Sequence, residues 1–335
     1  MAANFFPDNL KWHKPERILV TGGAGFIGSA LVETLLNNGI AVTCMDNFST
    51  GRKENIAPFM ADPRFTLLEA DIRDPEACRC AMEGAEYVLH EAALGSVPRS
   101  IADPESSIAV NVSGTVNIFA AASRAGVKRV VYASSSSVYG TDTSAEKVEN
   151  RTGETISPYA ASKSACEYFA ANFARVYGLE CVGLRYFNVF GPRQNPAGAY
   201  AAVIPKFAAA MLAHQSPVIN GDGKISRDFT FIGNVVRANL LALATPGVSG
   251  EVFNVGCGES HTLDELFAGL RDALSKFDPE TAAISPVYGA PRPGDIPFSL
   301  ASVAKAQKML GYEALFDFDS GLRETAEYFF RTTRR

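Results

Sequence analysis

The residues best placed to do chemistry are a tyrosine and a lysine four apart, in Tyr159-Ala-Ala-Ser-Lys163. On a helix the two share a face, with Cβ atoms about 6 Å apart. A free phenol titrates near 10, about three units too high for a good base at neutral pH. A neighbouring ammonium favours the phenolate, so the pair can take a proton from a hydroxyl and return it. Taken alone, the pattern describes equally well a tyrosine on a helix face beside a solvated lysine. Two other groups of residues change its meaning. Gly22-Gly-Ala-Gly-Phe-Ile-Gly28 can cradle phosphates, and Ser134-Ser-Ser-Ser137 can offer hydroxyls to a substrate.

Those groups need elements to hold them. Arg17–Thr21 is a short apolar run that ends in glycine, the pattern of a buried parallel strand. A helical pattern follows from Phe26 to about Asn38, stopped by Gly39, and Ile40 to Met45 is a second strand with Asp46 at its end. This is the βαβ unit that binds a dinucleotide. Gly22 permits the tight turn, Gly25 lets backbone approach a pyrophosphate, and Gly28 allows close packing of helix on strand. The helix N-terminus offers free N–H groups and a positive dipole end to the phosphates. Asp46 stands 18 residues beyond Gly28, placed to accept hydrogen bonds from both ribose hydroxyls and to repel a 2′-phosphate. The cofactor expected is therefore NAD, not NADP.

Further strands are predicted at 65–69, 87–90, 130–133 and 181–185, alternating with helices near 75–83, 105–125 and 159–177. The alternation predicts an α/β fold, a Rossmann-type doubly wound parallel sheet, with its ligand crevice at the carboxyl ends of the strands. Asp71-Ile72 follows the third strand, on the adenine side. Ala92, Ala93 and Gly95 follow the fourth, where small side chains leave room for a cofactor. The serine run follows the fifth, and Ser157-Pro158 announces the helix that carries Tyr159. Beyond residue 190 the texture turns to loops and short elements. We read 1–16 as an irregular arm that Trp12 pins to the body, 17–190 as the NAD-binding domain, to which later segments return, and 191–335 as a smaller C-terminal substrate-binding lobe. Arg227 and Arg292, in turns of that lobe, are candidate phosphate clamps.

Composition narrows the classes. The chain has 335 residues, 47% of them apolar, enough for a large core. Its net charge of −5, without a basic run, argues against nucleic acid and anionic membrane partners. Cys44, Cys78, Cys80, Cys166, Cys181 and Cys257 are scattered and read as free thiols in the reducing cytoplasm. Neither they nor His13, His90, His214 and His261 have metal-ligand spacing, and no metal is expected. No signal-peptide core or membrane span is seen.

With these motifs in hand, residues 18–328 resemble the extended short-chain dehydrogenase/reductase family, and within it the nucleotide-sugar 4-epimerases. The resemblance rests on Thr21–Gly28, Asp71-Ile-Arg-Asp74, Val138-Tyr-Gly140 after the serines, Tyr159–Lys163, Leu184-Arg-Tyr-Phe-Asn188, Arg227-Asp228 and Arg292-Pro-Gly-Asp295. Ala92–Ser100 and Arg193–Tyr200 are similar to the bacterial branch that interconverts UDP-GlcNAc and UDP-GalNAc. The resemblance implies Tyr159 as base, Lys163 as its partner, and Ser135 as the hydroxyl beside the sugar O4, with Ser136 and Ser137 the alternatives. It implies NAD contacts from Gly22, Gly25, Phe26, Ile27, Gly28, Asp46, Asn47, Ser49, Thr50, Gly51, Asp71, Ile72, Ala92, Ala93, Asn111 and Tyr186. It implies that Asn188, Arg227 and Arg292 hold a diphosphate, that Val203 and Asn220 lie near uracil, and that Asp295 meets the uridine ribose. Gly95, Ser96, Val97 and Gln194 would line the sugar pocket. Ser299 falls where a bulky tyrosine in other members excludes an N-acetyl group. Two departures stand out: Gly233, where many relatives carry an acid, and Pro297-Phe298, where the closest branch is more polar. A homodimer through a four-helix bundle and a role in supplying cell-surface polysaccharide are further implications.

Overall fold

The computed structural model describes residues 5, 13–198, 201–291 and 298–333. Seven strands form one wholly parallel sheet: β1 (Arg17–Thr21), β2 (Ala41–Asp46), β3 (Phe65–Glu69), β4 (Tyr87–His90), β5 (Arg129–Ser135), β6 (Glu180–Tyr186) and β7 (Val252–Val255). Their order across the sheet is 3-2-1-4-5-6-7. The chain winds outward from β1 to β3, then crosses back to β4, so β1 and β4 are neighbours at the switch point.

Strands buried on both faces explain the apolar runs in the sequence. Ile18, Val20, Val42 and Cys44 pack on one side of the sheet, in a cluster shared with helix α1 (Phe26–Asn37). Leu19, Met45, Val88, Val130 and Tyr132 pack on the other, against α2 (Pro75–Ala81), α3 (Thr115–Ala125) and α4 (Pro158–Tyr177). The helix expected over 105–125 is interrupted. It runs as Pro104–Ile108, a wide π turn over Ala109–Gly114, and then α3. The wide turn diverts the Asn111 carbonyl from regular helix bonding, and it accepts from the Thr115 hydroxyl at 2.6 Å and the Cys166 thiol at 3.1 Å.

Helix α5 (Val203–Leu212) keeps the extent read from sequence. The return of the chain to the sheet is larger than its local pattern indicates. Beyond α5, α6 (Ile232–Ala244) packs on α1, and β7 extends the sheet beside β6. Arg129, buried at the start of β5, explains how α6 is held. Its guanidinium donates to the carbonyls of Ala242, Leu243 and Thr245 at the helix C-terminus and pairs with Glu180. Helices α7 (Leu263–Ser275) and α8 (Phe318–Thr333) pack on each other and on α5. Four two-stranded ladders complete the second half, one of them pairing 300–301 with 146–147.

Gly233, the departure on α6, has a steric reason. Phe5 lies edge-on to Phe231 and Phe316, with centroids 6.3 and 5.7 Å away. A Cβ on Gly233 would stand 2.7 Å from Phe5 Cε1. The absent side chain makes room for an aromatic from the N-terminal arm. Trp12, expected to pin that arm, lies outside the described residues. Gly233→Asp should therefore destabilise the fold by about 1–3 kcal/mol in urea unfolding. Combined with Phe5→Ala it should cost about 1 kcal/mol less than the sum of the single changes. Strict additivity would separate the glycine from the arm.

Candidate active site

The carboxyl end of β1 leads into the glycine turn. Gly22 has φ +68° and its N–H donates to Met45 O at 2.8 Å. Its missing side chain matters because Ala92 N, across the switch point, lies 2.7 Å from where a Cβ would be. Gly28 contacts the turn itself and not the body of the strand: a Cβ there would stand 2.1 Å from Gly22 O. Helix α1 thus starts pressed against the loop, with Gly25 as its first capping residue. His90 secures the same corner from beneath. Its ring lies between the Thr21 and Thr115 hydroxyls at 2.7 and 2.9 Å, and burial with the nearby Lys163 charge drives its pKa down to about 3. It is a neutral strut at any physiological pH.

A cavity of about 300 Å³ opens over these strand ends. Gly22, Gly25, Phe26, Ile27, Gly28, Asp46, Asn47, Ser49, Thr50, Asp71, Ile72, Ala92, Ala93 and Gly95 all line it. Asp46 is anchored by the N–H groups of Ala24 and Phe48 at 2.9 and 2.8 Å, one on each carboxyl oxygen. Gly51 packs over that carboxyl, leaving 2.7 Å between an added Cβ and Oδ1. Asp71 accepts from Asn47 and a two-pronged Arg73 contact, which holds its pKa down to about 2. Two residues expected on this wall stand behind it. The Asn111 amide accepts from Leu94 N–H at 2.8 Å and donates to Leu94 O and the Ser162 hydroxyl, so it fixes the 94–95 loop. Tyr186 is buried, its hydroxyl donating to Glu91 at 2.7 Å and accepting from Asn239 at 2.9 Å.

Tyr159 and Lys163, the pair expected to transfer a proton, stand in the first turns of α4 and line neither this cavity nor the next. Ser157 caps α4, accepting from Ala160 N–H at 3.1 Å, with Pro158 at the first helical position. Tyr159 N–H donates to Ser100 Oγ at 3.0 Å, which ties the helix start to the 97–102 helix. Lys163, buried, donates to Ala133 O at 2.8 Å near the end of β5. One turn on, Glu167 accepts from Ser134 Oγ at 2.5 Å and from Arg185 on both oxygens at 2.9 and 2.8 Å. Ser134 is thereby turned inward. Ser135 Oγ accepts from Ser137 N–H and Ser137 Oγ at 3.2 and 3.0 Å, and Ser135, Ser136 and Ser137 are all half-buried.

A second cavity, about 620 Å³, opens beyond β6. It gathers Asn188, Gln194, Val203, Asn220 and Arg227, residues spread over 40 positions, against an apolar wall of Ile204, Phe207, Ile219 and Phe229. Gln194 Oε1 is buried without a donor among the described residues, on a side chain that lines this cavity. Asn188 donates to Asp228 O at 3.0 Å while lining the wall. Asp228 is a knot: its buried carboxyl accepts from the N–H groups of Cys257, Gly258 and Ala301, and its own N–H donates to Ser299 O at 2.8 Å. Ser299 is buried there and lines neither cavity. Gly95 faces the first cavity, and the Ser96 side chain caps the helix that starts at Val97, accepting from Arg99 N–H. Arg292 and Asp295 lie outside the described residues. In the sheet, β5 lies between β4, whose end lines the first cavity, and β6, whose continuation at 188–190 lines the second.

Residues 18–256 match the model of the NAD dependent epimerase/dehydratase family. The chain belongs to that family. It is 38% identical over 315 residues to a UDP-glucose 4-epimerase of Mycolicibacterium smegmatis, covering 93% of this chain and 98% of that one. Among solved structures it is similar to a UDP-N-acetylglucosamine 4-epimerase of Methanobrevibacter ruminantium, solved with UDP-N-acetylmuramic acid, at 38% identity and TM-score 0.89 over 96% of this chain and 100% of that one. A Thermus thermophilus UDP-glucose 4-epimerase solved with NAD is 35% identical, TM-score 0.82, over 93% and 98% of the two chains.

The cofactor of this epimerase-family enzyme is NAD, and the first cavity fits it. The turn excludes side chains where a pyrophosphate must approach, α1 presents its N-terminus, and Asp46 keeps lone pairs for a ribose. Four contributors escaped the sequence reading: Glu91, Ser100, Glu167 and Lys206, the last lining the second cavity. Glu91, Ser100 and Glu167 each act through a partner distant in sequence, and only Glu91, beside the two alanines at a strand end, carried a local signal. Gly28→Ala should push α1 off the Gly22 turn, lowering stability by about 1–3 kcal/mol and releasing NAD. The bound dinucleotide in purified protein, measured by absorbance after denaturation, should fall well below one per chain, and full occupancy would refute the contact.

Proposed function

We propose that the enzyme interconverts UDP-N-acetylglucosamine and UDP-N-acetylgalactosamine by inversion at C4. The observation that carries this reading is the position of Ser135, Tyr159 and Lys163. They occupy the strand end and helix start between a dinucleotide cavity and a second cavity with cationic, amide and apolar walls suited to a uridine diphosphate. Arg227, Asn188 and Arg292 would hold the diphosphate, Asn220 and Val203 the uracil, and Asp295 the ribose. Gln194, with Gly95, Ser96 and Val97, would face the sugar.

NAD, when bound, supplies a reversible hydride acceptor for the sugar C4. The protein does the rest. Tyr159 takes the proton of the 4-hydroxyl, and Lys163 places a positive charge on the same helix face. Ser135, its oxygen oriented by Ser137, donates to O4 and relays the proton. Firm anchoring of the diphosphate and small groups near the hexose let the 4-keto sugar rotate and present its other face. Glu167 holds Ser134 and Arg185, and so keeps β5 and α4 in one register during that turn.

The resemblance favours the N-acetylated substrates at Ser299, which stands where other members carry a bulky tyrosine and whose carbonyl is bonded to Asp228, next to Arg227 of the second cavity. Similarity to UDP-glucose 4-epimerases favours the second reading, in which plain hexoses are the substrates. UDP-hexuronic acids differ only in the sugar pocket. Dehydration is disfavoured because Ser136 and Ser137 stand where dehydratases carry an acid pair, decarboxylases are the other neighbouring chemistry, and a non-catalytic NAD-binding regulator would have no need of both Tyr159 and Lys163. Exposed Ile101, Ile108, Tyr168 and Tyr177 on α4 and the helices before it support a homodimer through a four-helix bundle. Six unpaired cysteines fit the cytoplasm, where the product would feed cell-surface polysaccharide.

Pure enzyme given UDP-GlcNAc without added NAD should form UDP-GalNAc, and faster than it converts UDP-glucose or UDP-glucuronic acid. No turnover of any of these would overturn the reading. Tyr159→Phe should lower kcat about 10²–10⁴-fold with NAD still bound. Ser299→Tyr should depress the N-acetylated pair at least about tenfold more than the plain hexoses. Equal loss on both would remove Ser299 as the gate.

A further inference from the structure

The first cavity holds three acids, and they are not equivalent. Asp46 and Asp71 stand at the ends of β2 and β3, the adenosine side. Glu91 follows β4, on the far side of the glycine turn, where the nicotinamide half of a dinucleotide falls. Strand alternation sends His90 toward α3 and Glu91 toward the opposite face, where Tyr186 on β6 donates to its Oε1 at 2.7 Å. Asn239 on α6 in turn donates to Tyr186. Among the described residues the one hydrogen bond on the carboxyl is that from Tyr186, and Glu91 lines the cavity. The ionisable groups around it are Tyr186 and Lys163, and Lys163 is held on Ala133 O, not on Glu91.

We infer that Glu91 sets the oxidation-state preference of the bound cofactor: its carboxylate favours the cationic, oxidised nicotinamide, and it takes up a proton when the ring is neutral and reduced. Exchanging NAD+ for NADH removes one positive charge from the ring. Glu91 gains one proton from solvent in compensation, and no electron passes to or from the protein. Burial supports this role by pushing the carboxyl up to about 7, against the pull of Tyr186 and Lys163, so both charge states are within reach. An ionised Glu91 at higher pH then favours NAD+, and a protonated one at lower pH relaxes that preference. In an enzyme that must reoxidise its cofactor each cycle, such a bias opposes trapping as NADH.

The test needs no sugar, so it stands apart from the proposed substrate. Full-length Tyr159→Phe protein, which lacks the proposed base, is equilibrated with equal NAD+ and NADH from about pH 6 to about pH 8.5. The bound ratio is read after extraction. With Glu91 present, NADH:NAD+ should fall about tenfold or more with rising pH. Glu91→Gln, which can still accept from Tyr186, should make the ratio nearly pH-independent and richer in NADH at high pH. Tyr186→Phe removes a bond that favours the ionised form, so the midpoint should move to higher pH. A flat ratio in the parent, or an unchanged slope in Glu91→Gln, would overturn the inference. An unmoved midpoint in Tyr186→Phe would do the same.

Discussion

The hold of α4 on the end of β5 is the contact on which the site depends. A phenol is a useful base only where an ammonium, a hydroxyl and a substrate carbon meet it within hydrogen-bond distances. Two α4 side chains one turn apart make that hold. Lys163 binds the Ala133 carbonyl, and Glu167 binds Ser134 and the buried Arg185. The first also fixes the Lys163 cation one helical turn from Tyr159, so one bond serves both position and charge. The second turns Ser134 away, leaving the half-buried Ser135, Ser136 and Ser137 as the candidate hydroxyls. An isolated Glu–Arg pair would gain little from burial. Here the hydroxyl and the strand end complete the carboxylate's bonding, which gives the pair a geometric role.

Everything else brings ligands to that hold. A wholly parallel sheet delivers every strand's carboxyl end to one edge, and its topology leaves a crevice where β1 and β4 diverge. The glycine turn meets Ala92 there at backbone distance, possible only without a Cβ. The chain then returns through α6 and β7, and the loops around them build the second cavity. Asp228 joins three of those loops through backbone N–H groups, at the cost of burying a carboxyl whose pKa rises to about 6. Its place beside Arg227 and Ser299 ties the expected phosphate clamp to the expected sugar gate through one rigid knot.

Local patterns made much of this legible. The βαβ glycine turn, the acid at the end of β2, the serine strand end and the Ser-Pro helix start are all short-range signals, set by backbone sterics and capping. They announced the sheet and the cofactor, and they nominate Ser135, Tyr159 and Lys163 for the proton transfer. The missed elements are those whose sequences carry little turn chemistry. Helix α6 and strand β7 are stabilised by packing on α1 and β6 and by Arg129, more than a hundred residues away. Asn111 and Tyr186 show the complementary error. Their types suit a cofactor contact, but each side chain finds its partners within the protein, one step behind the wall.

The sequence by itself determined the fold class, NAD and the Tyr159–Lys163 pair, because steric rules for glycine and the periodicity of buried strands act over a few residues. Only the tertiary structure decided that Ser134 is turned inward, that Glu91 shares the cavity with the glycine turn, and that five residues from 188 to 227 form one chamber. Those facts depend on which distant side chains compete for the same hydrogen bonds and space, and no local spacing encodes that competition.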